Sequence, residues 1–357
     1  METARELDTP TTEMSGEPPL PSGRTTRLPG ALAALAVAAV ATVVGHFLPV
    51  VGAPVVAIVL GIAVAIRTGP RPALASGLRF CSRTVLQASI VLLGTGLSFA
   101  EVLSTGASSL PVLAGTLATA LGGAWLIGRA LGIDSDLSVL IGVGTGICGA
   151  SAIAATDAVI SASAADVSYA VATIFTFNVA AVLSFPSLGH LLGLGPHAFG
   201  LWSGTAVNDM SSVVAASSIF GGGATAFAIV VKLTRTLAII PITIVLSLWR
   251  SRRASAGTER SAVPALSKRL RQVLPVFVGW FLVAVGANSA GLVPHALHAP
   301  VSDAAQAMIT IALAAIGLST RARDIARTGA RPIALGAALW ILVAGVSLGL
   351  QAVTGTI

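Results

Sequence analysis

Two stretches decide how this chain folds. The first is Gly144-Thr145-Gly146-Ile147-Cys148-Gly149-Ala150-Ser151-Ala152-Ile153-Ala154-Ala155. The second, with an offset of 60, is Gly204-Thr205-Ala206-Val207-Asn208-Asp209-Met210-Ser211-Ser212-Val213-Val214-Ala215. Gly, Thr, Ile or Val, Ser, and again Ile or Val recur in register. Each stretch lies in an apolar run yet is loosened by glycine or by hydrogen-bonding side chains. The second carries an Asn-Asp pair near its middle. A charge at that depth costs roughly 2.5–3.5 kcal/mol on insertion scales, so it implies a purpose. Paired, interrupted hydrophobic segments are the sequence mark of a transporter's binding site.

The surrounding composition sets the class. Of 357 residues, 55% are hydrophobic and 10% charged, against about 25% charged in a soluble domain. Mean hydropathy is +0.90. This is the composition of an integral membrane protein. The net charge of +7 does not gather into a nucleic-acid-binding patch; the basic residues sit in short loops between apolar runs. Cys81 and Cys148 form no close-spaced metal pattern, and no metal site is expected. Residues 1–28, rich in Thr, Pro, Glu and Arg, read as a disordered cytoplasmic tail, and 29–357 as a single transmembrane domain.

About 20 apolar residues cross a bilayer. On that ruler the spans fall near 30–48, 53–66, 85–99, 109–128, 137–156, 168–189, 199–219, 225–248, 273–290, 304–319 and 332–354. The count is about eleven, with ten to twelve allowed. The positive-inside rule supports it. Arg5, Arg24 and Arg27 lie in the tail; Arg67, Arg71, Arg79 and Arg83 in the second loop; Arg129 in the fourth. Arg250, Arg252, Arg253, Arg260, Lys268, Arg269 and Arg271 lie in the eighth, and Arg321, Arg323, Arg327 and Arg331 in the tenth. The opposite loops hold no Lys or Arg. The N-terminus is expected inside and the C-terminus outside.

A second repeat aligns 92–115 with 313–336 at an offset of 221, with Gly96/Gly317, Leu97/Leu318, Ser98/Ser319, Pro111/Pro332 and Gly115/Gly336 identical. Its copies start on spans an odd number apart, so they are inverted, as in many secondary transporters. The pair 144–155 and 204–215 lies on spans an even number apart, which simple counting does not invert. Permuted halves, a re-entering segment or partial coincidence would each account for that.

Gly144-x-Gly146-x-x-Gly149 has the letters of a dinucleotide fingerprint, but that motif needs a strand before it and a βαβ unit around it. Its alternatives are tight packing through small residues and a broken helix whose freed backbone lines a site. The pairing with 204–215 favours the latter. Asp209 is read as a proton or cation carrier, against a purely structural carboxylate paired with a neighbouring cation. Lys232 and Arg235, three apart on one helix face, neutralise Asp209 or help bind an anion beside half-helix N-termini. Asp157 is a candidate for ion passage or an ordinary loop carboxylate. Asn178, Thr173 and Thr176 read as satisfied helix contacts, and His190, His197, His295 and His298 as solvated loop histidines.

The runs GTGICGASAIAATDAVI (144–160), FGLWSGTAVNDMSSVVAAS (199–217), VVKLTRTLAIIPI (230–242) and AIGLST (315–320) together resemble the UPF0324, or YeiH-type, family of bacterial inner-membrane proteins, to which sulfate export is ascribed. The resemblance covers nearly the whole chain after the tail. It implies a polytopic transporter distantly similar to the sodium/proton antiporter and bile-acid symporter superfamily. The chain departs from the family pattern at Asn208-Asp209, where a His precedes the acid, and at Ser211-Ser212, where Ala-Gln is usual.

The expected fold is therefore all-α and polytopic, with inverted or permuted repeats and interrupted helices. The expected function is secondary active transport of a small anion, such as sulfate or an organosulfonate, coupled to H⁺ or Na⁺ and requiring no other cofactor. The candidate site comprises Thr145, Gly146, Cys148, Gly149, Ser151, Asp157, Thr205, Asn208, Asp209, Ser211, Ser212, Lys232 and Arg235. Its partners are the small anionic solute and the lipid bilayer, with a homodimer allowed and no nucleic acid. The expected location is the bacterial inner membrane. A passive anion channel is the first alternative. An intramembrane enzyme is the second, disfavoured because no hydrolase or nucleotide-binding motif is present.

Overall fold

The computed structural model describes residues 27–47, 52–69, 71–239, 241–246, 276–320 and 329–357. These are helical throughout, apart from short connections. In chain order the helices are α1 (Leu28–Phe47), α2 (Gly52–Thr68), α3 (Pro72–Arg79), a π-helical turn (Phe80–Val85), α4 (Leu86–Gly94), α5 (Phe99–Ala130), α6 (Ser135–Gly146) and α7 (Ala150–Ile160). Then come α8 (Ala164–Leu191), α9 (Pro196–Ala206), α10 (Met210–Phe220), α11 (Ala224–Thr236), α12 (Val276–Ser289), α13 (His295–Ser319) and α14 (Ala330–Thr354). Among the described residues six helices are long and apolar enough to cross a membrane, counting the run from Ala224 to Leu246 that α11 opens. Large apolar side chains such as Trp125, Leu126, Trp280 and Val353 face outward, as lipid-facing side chains do. The tail up to residue 26 and the basic residues 250–271 and 321–327 lie outside the described residues.

Local chemistry sets the helix ends. Ser98 and Glu101 form a reciprocal capping box at the start of α5. Asp134, Ser163 and Asp209 cap α6, α8 and α10 through their side chains, and Pro196 opens α9, a position where its missing N–H costs nothing. Glycine lets helices touch backbone to backbone. A Cβ on Gly317 would lie 3.0 Å from the Cα of Gly61, which seats α13 directly on α2.

The sequence counted the stretches 137–156 and 199–219 among the spans but left open whether each crosses or re-enters; in the structure each folds back on itself. The rings of Phe199 and Phe220 stack at 3.9 Å, whereas 21 residues of unbroken helix would separate them by about 31 Å. In the first stretch Ile153 packs on Gly144, and Leu137 near the start of α6 and Ile160 at the end of α7 belong to one apolar cluster. Helix directions agree. Both α6 and α14 run antiparallel to α5: Gly128 meets Ser138 and Leu335, Gly142 meets Ala124, and Gly123 meets Leu339. Alongside α14, α8 runs parallel, with Gly336 against Thr173 and Phe177, and Trp340 against Phe177 and Phe185. Since α6 and α8 are parallel, α7 between them must run back.

The second hairpin enters from the opposite end of the bundle. Phe185 stacks on Trp202 and Gly189 meets Phe199, so α9 is antiparallel to α8. Gly200 lies against Ala224 and Ala228, and Gly204 against Ala228 and Val231, so α11 is parallel to α9 and α10 returns between them. The two hairpins meet tip to tip. A Cβ on Gly149 would stand 3.4 Å from the Cβ of Asp209 and 3.7 Å from the carbonyl oxygen of Asn208. This resolves the parity problem of the sequence. A hairpin followed by a full helix, α6–α8, is repeated as α9–α11 in the opposite sense.

Candidate functional site

Each hairpin turns through three residues, Ile147–Gly149 in the first and Val207–Asp209 in the second, so each leaves a helix C-terminus and a helix N-terminus facing each other. A C-terminus carries orphan carbonyls and partial negative charge. Both are met by side chains of α11. Lys232, 0% exposed, donates from Nζ to the carbonyl oxygen of Val207 at 2.6 Å. Arg235, 1% exposed, donates from Nε to the carbonyl oxygen of Gly146 at 2.6 Å and from Nη2 to that of Thr145 at 3.3 Å. One helix turn thus caps both hairpins, one cation to each. The reach depends on Gly204. A Cβ there would come within 2.8 Å of the Cβ of Val231, so only glycine lets α9 lie this close to α11. Desolvating a cation costs several kcal/mol, and hydrogen bonds to charged groups return about 1.5–3 kcal/mol apiece.

The N-termini at the tips differ from each other. Asp209 caps α10, accepting from the Ser212 backbone N–H at 2.9 Å, the Ser212 hydroxyl at 2.7 Å and the Ser211 hydroxyl. In the first hairpin Gly149 occupies the equivalent place at φ 70°, ψ −132°, with no side chain to cap α7. Behind the tips, Asn178 Oδ1 on α8 accepts the Asn208 backbone N–H at 3.1 Å. Two buried polar atoms beside them, Asn208 Oδ1 and Arg235 Nη1, have no protein partner.

A cleft of about 190 Å³, some six water volumes at roughly 30 Å³ each, borders the second tip. Ser211 and Ser212 of α10 and Asn178 of α8 form its polar floor; Phe175, Val179, Val182 and Ala215 continue it. Ile58 of α2, Ser82 of the π-helical turn, and Ile316 and Ser319 of α13 close the opposite wall. The cleft lies between the hairpin bundle and a separate group of helices.

The structure thus brings together most of the residues marked in the sequence: Thr145, Gly146, Cys148, Gly149, Asn208, Asp209, Ser211, Ser212, Lys232 and Arg235. Three stand apart. The Thr205 hydroxyl turns away to Ser347 Oγ of α14, at 2.6 Å. Ser151 is exposed on the first turn of α7. Asp157 lies near the base of the first hairpin, where its carboxylate accepts the Ala162 N–H at 3.0 Å. Lys232 and Arg235 were expected to neutralise Asp209 or help bind an anion; their hydrogen bonds are made to the C-terminal carbonyls of α9 and α6. The loosened backbone is also shorter than expected, since Gly144 and Gly146 are helical and only residues 147–149 break. Asn178, expected to be an ordinary helix contact, is the residue the sequence undervalued. The signal available was its polarity in the span following the first repeat copy.

These features define an all-helical membrane protein built around two opposed helical hairpins. The chain belongs to the UPF0324 family: residues 29–336 match the family model described as conserved hypothetical protein 698. Among its relatives, a UPF0324 membrane protein of Streptococcus pyogenes serotype M18 is 41% identical over 91% of this chain and 96% of its own length. One from Streptococcus pneumoniae serotype 4 is 41% identical over 91% and 97%, and one from Streptococcus agalactiae serotype V is 39% identical over 92% and 98%. No solved structure matches the chain.

Proposed function

We propose that this protein is a secondary active transporter of a small anion such as sulfate or an organosulfonate, and not an enzyme. It works by alternating access around the hairpin tips in the bacterial inner membrane. The observation that carries the reading is the meeting of two opposed hairpin tips over two buried cations, beside a largely apolar cleft with Ser211, Ser212 and Asn178 on its floor. Broken backbone at membrane depth is tolerated where it is enclosed by protein or lines a cavity, and opposed half-helices around a midplane site are how secondary transporters bind charged solutes. The free Nη1 of Arg235 suits an anion. Asp209 is the coupling carboxylate of this scheme. With 137–156 and 199–219 re-entering, the scheme has two crossings fewer than the eleven expected. The N-terminus stays inside and the C-terminus outside.

The test is flux and proton movement measured together in liposomes loaded with sulfate, sulfite and small sulfonates, comparing wild type with Asp209→Asn. One anion moving with a stoichiometric proton signal that the variant abolishes supports the reading. Equal anion flux through both proteins with no proton signal replaces it with a passive channel.

A further inference from the structure

The coupling step of the transport cycle proposed above turns on what neutralises the two half-helix C-termini. In transporters with broken helices, unwound carbonyls and C-terminal helix ends are where coupling cations are coordinated. Here those ends are already occupied by the chain. The Lys232 ammonium sits on the Val207 carbonyl that ends α9, and the Arg235 guanidinium on the Gly146 and Thr145 carbonyls that end α6. Both cations are buried, and their hydrogen bonds are made to backbone carbonyls. We infer that Lys232 and Arg235 are resident substitutes for coupling cations, so that the protein closes its hairpin tips without sodium.

The arrangement fits in geometry and in charge. Each hairpin has one cation, and each cation binds the carbonyl-rich end whose dipole it opposes. An inorganic ion would have to displace a tethered ammonium held at 2.6 Å. Removing the tether should therefore reopen the position to a free cation. Lys232→Ala leaves the Val207 carbonyl without a donor in a space that held an ammonium group and its stem.

The experiment is thermal unfolding of the purified protein in detergent, with sodium chloride against choline chloride at equal ionic strength, for wild type and Lys232→Ala. A ligand that binds only the folded state raises the midpoint in proportion to ln(1 + [L]/Kd). The expected result is a wild-type midpoint indifferent to the choice of salt, and a variant midpoint lower than wild type in choline and raised, saturably, by sodium. A saturable sodium shift in wild type, or a folded variant that sodium leaves unmoved, overturns the inference. Should Lys232→Ala fail to fold, the wild-type titration alone still decides. Unfolding does not depend on knowing the transported anion, so a failed flux assay would count against the transporter reading without touching this result. Where flux is measurable, wild-type transport should be the same in both salts, and a tenfold fall without sodium would overturn the inference equally.

Discussion

At the scale of single residues, the tips are held by a few hydrogen bonds made away from bulk water, where an unmet partner costs most. Asn178→Ala removes the acceptor for the Asn208 N–H, a buried backbone donor. Leaving such a group unpaired costs about 1–3 kcal/mol, and the expected outcome is a lower unfolding midpoint in detergent. Gly149→Ala tests the backbone. The site has room for a Cβ, with its nearest contacts at 3.4 Å, so crowding is not the issue. Its dihedrals, φ 70° and ψ −132°, belong to glycine, and strain of about 1–3 kcal/mol should appear as a similar loss of midpoint. Much of this was legible beforehand. The Gly-rich first copy and the Asn-Asp of the second marked the two tips, and the three-residue spacing of Lys232 and Arg235 put them on one face. What each cation binds was not legible, because a carbonyl partner leaves no trace in the sequence: every residue has one.

At the scale of elements, the decisive unit is the hairpin. An apolar run of about 20 residues has the length to cross a membrane whether it goes straight through or folds at its middle. Hydropathy therefore cannot separate the two. The positive-inside pattern could not either, since replacing two crossings by two re-entrant hairpins leaves the side of every basic loop unchanged. Three-dimensional pairings such as that of Phe199 with Phe220 distinguish them. Accordingly, Phe199→Cys combined with Phe220→Cys should form an intramolecular disulfide under mild oxidation, seen as a gel-mobility shift reversed by reductant; a straight helix would hold the thiols about 31 Å apart. The α2–α13 contact makes a second element-scale prediction. Gly317→Leu would drive a side chain into the backbone at Ile58 and Gly61. Overpacking of this kind costs about 1–3 kcal/mol or more, so a lower midpoint in detergent is expected.

At the scale of the whole molecule, the hairpins change which connections face which side. With eleven straight crossings, the α7–α8 link at 161–163 would face outward and the α8–α9 link near 192–195 inward. With two re-entrant hairpins the assignments reverse. The single substitutions Ser163→Cys and Gly193→Cys, each in a background lacking Cys81 and Cys148, should be labelled by a membrane-impermeant maleimide in opposite compartments. The Gly193→Cys protein should react in intact cells, and the Ser163→Cys protein only after the membrane is opened; the reverse pattern would restore the straight-span topology. Composition marked a membrane protein, and the length of the apolar runs marked a helical one. The inverted relation of 144–155 to 204–215 was present in the sequence as a match whose parity looked wrong, and it became interpretable once both segments were seen to turn back.

The two repeat units are alike in plan but unequal in duty. At the offset of 60, Lys232 and Arg235 of α11 correspond to Ala172 and Phe175 of α8, and Phe175 is a wall of the cleft. One copy has become the lock and the other the vestibule. Because a single turn of α11 holds both tips, its sequence cannot drift to suit one hairpin without disturbing the other. Phe175 and its neighbours on the cleft wall bear no such double obligation. New solute preferences within this architecture would then arise by changes along the cleft wall, with the α11 latch left in place.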